Sequence, residues 1–368
     1  MSRGLGDVYK RQFLNRAFQG VYAPGSTFKM VTAVAGLESG IIEPDTEIMD
    51  TGVYTYYQDD GPQCWYWRQY RRKHGLVNVS EALEVSCNVF FFDVGRRVGI
   101  QGLQEFAAKF GLGEPTGIEL YEETGVMAGP EYTQSMGQTW YEGSTLSVAI
   151  GQESTQVTPI QLATYAATLA NNGTRYRTHF VKAILDTNTG EVLSETQPEV
   201  MDVIEGNGNT FALVRQGMTL VPSTISGKIS SYPIAIACKT GTPQRSETYA
   251  SGKHYLNAMM IAYLPADDPE IAIGITVEYG GYGARTGDLV VDIANAYFAM
   301  KDGTLEVDPY VDPRTVVQED AAAADTAAQA APDAANDAQT DATAAEPQQT
   351  AAPAAAAEEE NNDVLLAQ

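Results

Sequence analysis

Ser26 to Glu38 reads Ser-Thr-Phe-Lys-Met-Val-Thr-Ala-Val-Ala-Gly-Leu-Glu, apolar on almost every side of a helical period. Such a stretch predicts a helix buried in a core rather than lying on a surface, and Pro24-Gly25 gives it an abrupt start. A second helix is expected from Ser80, capped by Asn78 or Ser80, and a third from Leu103 to Phe110, stopped by Gly111. A fourth has stronger end signals: Thr158 can cap, Pro159 suits the first helical position, and Gly173 follows the end.

Farther on the pattern changes. Ile234 to Thr240, Ala258 to Leu264 and Ile271 to Val277 are short, partly β-branched apolar runs between Gly, Pro and Asp clusters, which predicts buried strands of a mainly antiparallel sheet. Asp288 to Met300 closes the pattern as an amphipathic helix with Leu289, Val290, Ile293, Ala294, Tyr297 and Phe298 on one face. Helices first and strands after, without strict alternation, give an α+β class: an antiparallel sheet flanked by helices, with a helical subdomain.

Composition divides the chain. From Glu319 onward it is Ala, Pro, Gln, Asp and Glu with almost no large apolar residue before Val364, too little to offset the entropy of ordering. The expected organisation is an unassigned segment over 1–12, one domain over 13–305, a linker over 306–318 and a disordered acidic tail over 319–368. The net charge of −24 argues against nucleic acid as a partner, since the one dense basic run, Arg71-Arg72-Lys73, suits a solvated turn. Three cysteines, Cys64, Cys87 and Cys238, lack the spacing of a disulfide framework. There is no membrane-length apolar run and no signal peptide.

Ser26 and Lys29 are three apart at a helix start and therefore share a face of its first turn. A serine nucleophile whose proton passes to lysine needs that geometry. The helix N-terminus favours developing negative charge, and apolar surroundings favour the neutral amine. Alone, Ser-x-x-Lys is a weak signal, and Ser26 read by itself is a plain helix cap. Two other segments change the balance. Ser86-Cys87-Asn88 offers a hydroxyl and an amide in one short stretch, and Lys239-Thr240-Gly241-Thr242 ends a strand with a cation, two hydroxyls and a glycine that permits close approach. Ser-x-x-Lys, Ser-x-Asn and Lys-Thr-Gly in that order are the known mark of penicillin-binding proteins and serine β-lactamases.

At these residues the chain resembles the transpeptidase domain of class B penicillin-binding proteins, from about Asn15 to Phe298. The resemblance includes Tyr22-Ala23-Pro24-Gly25-Ser26-Thr27-Phe28-Lys29, His74-Gly75, Phe110-Gly111-Leu112-Gly113, Thr116-Gly117-Ile118, Ile150-Gly151-Gln152 and Thr158-Pro159-Ile160-Gln161. The Cys64 to Gly75 stretch is similar to the elongation-type branch, penicillin-binding protein 2. The resemblance implies a D,D-transpeptidase acting on peptidoglycan stem peptides and acylated by β-lactams. Ser26 would be its nucleophile, Lys29 the general base, Ser86 a proton shuttle and Asn88 a holder of the substrate backbone. Lys239, Thr240 and Thr242 would bind the terminal carboxylate around Gly241, and the N–H groups of Ser26 and Thr242 would form the oxyanion hole. It implies no cofactor, a place on the outer face of the bacterial membrane, and partners in the cell-wall elongation machinery. Two departures stand out. Cys238 occupies a position where the family has a glycine or another small residue, and only 25 residues precede Ser26, so the first strands of the family's sheet and its membrane anchor are expected to be missing.

The rivals are a β-lactamase or D,D-carboxypeptidase, which would hydrolyse the same acyl-enzyme, and a non-catalytic penicillin-binding sensor. No glutamate stands out in the sequence as a base for deacylation. No metal ligand is assigned to the site, although Cys64, His74 and Cys87 could offer soft ligands to zinc with Asp59 or Asp60 as a fourth. Their spacing matches no regular zinc module, and Cys87 is equally a small buried residue.

Overall fold

The computed structural model describes residues 14–248 and 252–305, so the segment over 1–12, the linker and the tail lie outside the described residues. Among the described residues, those through Asn295 belong to one compact unit and 296–305 to a second.

The chain enters through a 3-10 turn, Gly25–Phe28, and continues as helix α1, Lys29–Glu38. Every residue of α1 from Lys29 to Leu37 is buried, as its all-round apolar pattern predicts. A short strand β1, Ile48–Asp50, leads by a loop to helix α2, Trp65–Tyr70, and pairs antiparallel with β2, Gly75–Val77. Arg71, Arg72 and Lys73 between them are exposed, with Arg71 and Lys73 over the ring of Trp67. Helix α3, Val79–Glu84, starts in a capping box made by Asn78 and Glu81.

Helix α4, Asn88–Lys109, is far longer than the expected Leu103–Phe110. Its first half, Val89-Phe90-Phe91-Phe92, is buried all round, so it has no amphipathic period to detect, and a break at Gly99, φ 80°, separates it from the recognisable half. α4 packs against α1 and against helix α5, Ser144–Ala149. Helix α6, Pro159–Ala170, has the expected start, with Thr158 and Gln161 in a reciprocal capping box. Helix α7, Thr210–Leu220, packs on α3, so closely that a Cβ on Gly217 would lie 2.8 Å from Leu83 Cβ.

The sheet is antiparallel and runs β3, Ala237–Gly241, then β6, Ala258–Leu264, then β7, Ile271–Val277. A hairpin of β4, Gln244–Thr248, and β5, His254–Leu256, lies between β3 and β6 in sequence. β6 and β7 have the expected bounds, whereas β3 starts later than Ile234 because the ladder ends at Tyr263↔Ala237, one residue before Leu264-Pro265, and proline has no N–H to donate. α6 covers β7, where Gly274 lets the backbones meet: a Cβ there would lie 2.7 Å from Ala163 N.

The last helix, α8, Gly287–Lys301, buries Val290, Val291 and Ala294. This corrects the expected apolar face, since Leu289 and Ile293 are exposed and the buried stripe is rotated to include Val291. The fold is α+β, helices with antiparallel sheets, as its sequence pattern indicates.

Candidate active site

Ser26 is half-buried in the 3-10 turn that precedes α1 and caps neither element: Pro24 holds the cap position of the turn and Phe28 that of α1, both without a side-chain bond. The turn is fixed by Gly25, φ 55°, whose N–H donates to Gly151 O at 2.8 Å, and by Thr27 Oγ1 donating to Pro24 O at 2.8 Å. One step on, Lys29 is fully buried.

Ser86 and Asn88 occupy the joint between α3 and α4. α3 ends with Ser86 N donating to Leu83 O and Cys87 N to Ala82 O, the pair of bonds that follows a left-handed residue after a helix. Glycine is usual at that position, but here Ser86 holds φ 53°. Cys87 then begins α4 by accepting from Phe90 N on its sulfur. A serine kept where glycine would be less strained points to a role for its hydroxyl.

All three donors of Lys29 Nζ go to this joint: Ser86 O at 2.7 Å, Ser86 Oγ at 3.0 Å and Asn88 Oδ1 at 2.7 Å. Burial is the main cause holding Lys29 down, at about 8 instead of 10.5; Cys64 and Cys87 oppose it. The neutral amine, able to take a proton, is therefore reachable near neutral pH.

The strand segment closes the other side. Side chains alternate along β3, placing Lys239 and Gly241 on one face. A Cβ on Gly241 would lie 2.7 Å from Pro24 O and 3.0 Å from Thr27 Cγ2, so only glycine lets this strand approach the turn that carries Ser26. Lys239 is fully buried and pushed well below the usual lysine range, first by burial and then by the positive charge of Lys29. Thr240 is buried, while half-buried Thr242 accepts from Gly283 N at 3.0 Å. Cys238 is accommodated, fully buried, and burial pushes its thiol up to about 12.

A second cluster lies directly behind Ser86 and Asn88. Single ligand atoms of Asp50, Cys64, His74 and Cys87 all lie within 4.8 Å of one another. His74 Nδ1 is 2.7 Å from Asp50 Oδ2 and 3.5 Å from Cys64 Sγ, and Cys87 Sγ donates to Asp50 Oδ2 at 3.5 Å. Burial pushes Asp50 up, but hydrogen bonds from His74 and Gly52 outweigh it and hold the carboxylate at about 2. Burial likewise lowers His74, and Asp50 with Cys64 raise it to about 9. The two neighbouring thiols act on each other in opposite senses, Cys64 being pulled down and Cys87 pushed up.

Two sulfurs, an imidazole and a carboxylate are the donor set of a closed tetrahedral zinc site, whose ligand atoms stand about 3.3–3.8 Å apart. These four residues could hold such an ion after a small contraction. The expected fourth ligand is corrected: Asp59 and Asp60 are exposed and outside the cluster, and Asp50 takes that place. No spacing signal marks Asp50, because β1 and β2 pairing is what brings it to His74. The cluster touches the site through Asn88 N, which donates to Cys64 Sγ at 3.4 Å.

The structure brings the three motifs together through Lys29, the α3–α4 joint and the close approach of Gly241. Residues 3–298 match the family description "Penicillin binding protein transpeptidase domain". The chain is 33% identical over 298 residues to the peptidoglycan D,D-transpeptidase MrdA of Acinetobacter baumannii, covering 77% of this chain and 44% of that protein. With MrdA of Escherichia coli K12 it is 32% identical over 324 residues, 83% of this chain and 50% of that one. It thus spans about half the length of these curated relatives. Among solved structures, Pseudomonas aeruginosa PBP2 in complex with WCK 5153 superposes with a TM-score of 0.68 at 28% identity, covering 84% of this chain and 69% of that one. Helicobacter pylori PBP2 in its complex with MreC gives 0.65 at 27% identity, over 82% and 55%.

Proposed function

The chain belongs to the penicillin-binding protein transpeptidase family, and on that premise we propose that it is a peptidoglycan D,D-transpeptidase working through an acyl-enzyme on Ser26. The observation that carries the proposal is the set of three bonds from buried Lys29 to Ser86 and Asn88, with Lys239 and Gly241 drawn up against the same turn.

Ser26 Oγ attacks the carbonyl between two terminal D-alanines. Lys29, about half neutral at pH 8, takes its proton in its amine form. Ser86, bonded to Lys29, relays that proton to the departing D-alanine amine. Asn88 holds the substrate amide, and Lys239 with the hydroxyls of Thr240 and Thr242 receives the terminal carboxylate. The N–H groups of Ser26 and Thr242 stabilise the tetrahedral oxyanion. An amine of a neighbouring strand then attacks the ester, restores Ser26 and completes the cross-link. A metal held by Asp50, Cys64, His74 and Cys87 would be structural, since four protein ligands leave no open position.

β-Lactams acylate Ser26 in the same manner. The domain works at the outer face of the bacterial membrane, where peptidoglycan lies; no described helix is long and apolar enough to cross a membrane. Its partners are components of the elongation machinery, in line with the relative solved with MreC.

Transferase and hydrolase part at deacylation, where general-base help to water is worth about 10²–10⁴-fold. A penicillin adduct on Ser26 is expected to survive for many minutes at neutral pH, followed by intact-mass spectrometry after removing free drug. Loss within seconds, with hydrolysed penicillin accumulating in large molar excess, would overturn the assignment in favour of a β-lactamase.

A further inference from the structure

The loop between β1 and α2 rises from the Ser86–Asn88 joint and carries a row of tyrosines. Its base is closed by the bridge Val53↔Gln63 and by Tyr54 N donating to Pro62 O at 2.9 Å, and Asn88 Nδ2 donates to Gln63 O at 3.5 Å. From there the loop is pinned along α4. Tyr54 Oη donates to Asp93 Oδ1 at 2.9 Å and accepts from Arg96 Nε at 2.7 Å. Asp93 and Arg96 follow Asn88 on one helix, so at about 1.5 Å per residue the two pins stand about 7–12 Å along it from the active-site amide.

Beyond Tyr54 the rings face solvent, and yet they are fixed. Tyr56 is 60% exposed, Tyr57 45% and Tyr141, in the loop before α5, 70%. The Arg96 guanidinium lies 3.7 Å from the centre of the Tyr56 ring, Tyr54 stacks with Tyr56 at 6.4 Å and 16°, and Tyr57 meets Tyr56 edge-on at 5.0 Å and 88°. Ordering exposed rings costs side-chain entropy and leaves their faces wet, so they serve something other than the core. Burial, and after it the charge of Glu142, hold the Tyr57 hydroxyl above the usual tyrosine range, which brings the Trp140-Tyr141-Glu142 loop near Tyr57.

Three properties identify the ligand class. Flat rings offer apolar faces that the C–H face of a pyranose covers, leaving its hydroxyls free at the edges. The same loops carry exposed carboxylates, Asp59, Asp60 and Glu142, which accept from hydroxyls and repel an anionic ligand. Distance is the third. In the chemistry proposed above, the acceptor amine reaches the ester on Ser26 from a stem peptide whose other end is joined to a sugar strand, and a few extended residues at about 3.3 Å each span from the reacting atoms to these rings.

We propose that Tyr56 and Tyr57, with Tyr141, form a stacking ledge for the sugar rings of the glycan strand that bears the acceptor peptide. The inference rests on the transpeptidase reading.

The test titrates the full chain into glycan strands stripped of their stem peptides and labelled at one end with a fluorophore, followed by anisotropy. Saturable binding is expected, weakened about tenfold in Tyr56→Ala and in Tyr57→Ala, the scale of one lost aromatic contact. Tyr57→Phe keeps the ring and is expected to bind like the wild type. Penicillin carries no sugar, so its rate of acylating Ser26 should stay within about twofold in all three variants; a parallel loss of acylation would make the tyrosines structural and overturn the ledge. No saturable binding in the wild type, or an unchanged affinity in both alanine variants, overturns the ledge alone. If penicillin forms no adduct on Ser26 of the wild type, the transpeptidase reading fails and the ledge falls with it.

Discussion

The two walls that meet at Ser26 are built on different principles. On one side, Lys239 to Thr242 is held by a backbone ladder: β3 pairs with β6 residue by residue, and the only special requirement is the missing side chain at Gly241. On the other, Ser86 and Asn88 sit at a joint between two helices, and side chains hold them: Lys29 in front, and Asp50, Cys64, His74 and Cys87 behind. A ladder distributes its positional information over many bonds, so single changes are absorbed. A buried polar network concentrates it, and each member left unpaired costs about 1–3 kcal/mol. The strand wall is therefore expected to tolerate substitution behind it, and the joint is not.

The largest effect tests whether both walls serve one nucleophile. Ser26→Ala is expected to abolish covalent penicillin labelling in mass spectrometry. Because Ser26 caps no helix, the midpoint of thermal unfolding should hardly move. An adduct on the alanine protein would show that the walls converge on something else.

Next comes the group that bridges them. With Lys29 held at about 8, the acylation rate is expected to fall about tenfold per pH unit below that value and to level off above it, measured by adduct formation under limiting drug. The stability linkage has the opposite origin but the same direction. The unfolded chain keeps the Lys29 proton up to about 10.5, so between about 8 and 10.5 it binds more protons than the fold, and this contribution to stability increases with pH. A rate flat from pH 6 to 9 would remove Lys29 as the base.

The comparison itself is tested by a pair of cysteines, one behind each wall. Cys87→Ala is expected to lower thermal stability by about 1–3 kcal/mol, through the lost thiol bonds to Asp50 and Phe90 N, and to slow acylation about tenfold. Cys238→Ala, which removes one buried sulfur from the sheet, should cost about 1 kcal/mol and leave acylation within about twofold. Equal effects would erase the distinction. Elemental analysis of protein purified without added metal sharpens it further: close to one equivalent of zinc, lost in Cys87→Ala, would make the four residues a metal site, and less than a tenth of an equivalent would leave the cluster a hydrogen-bonded network only. The smallest effect is expected from the tail. Its composition offers nothing to pack, so deleting residues 319–368 should change the acylation rate by less than about twofold.

The two walls also differ in how far they could be read from the sequence. β6 and β7 were legible to the residue, and so was the start of α6, because alternation, β-branching and a Thr-Pro-x-Gln cap are local signals. Lys-Thr-Gly was legible as a unit for the same reason. The joint was only half legible. Ser86 and Asn88 could be named, but the helix that begins at Asn88 could not, since four consecutive large apolar residues carry no period. Asp50 was invisible: it is 24 residues from His74, its role exists only once β1 and β2 pair, and the nearer Asp59 and Asp60 looked equally suited.

The close approach at the nucleophile turn has a consequence for how a population could escape an acylating drug. A side chain at Gly241 would strike Pro24 O at 2.7 Å, and one at Gly151 would strike Gly25 O at 2.2 Å, so any larger residue at either place displaces Ser26 from the groups it needs. If Ser26 is the nucleophile proposed above, mutations there disarm the enzyme along with the inhibitor's target, and selection cannot retain them. On the proposed acyl-enzyme chemistry, adaptive change is channelled outward, to the β4–β5 hairpin and the rim around Arg245 and Glu153, away from the bond-making atoms.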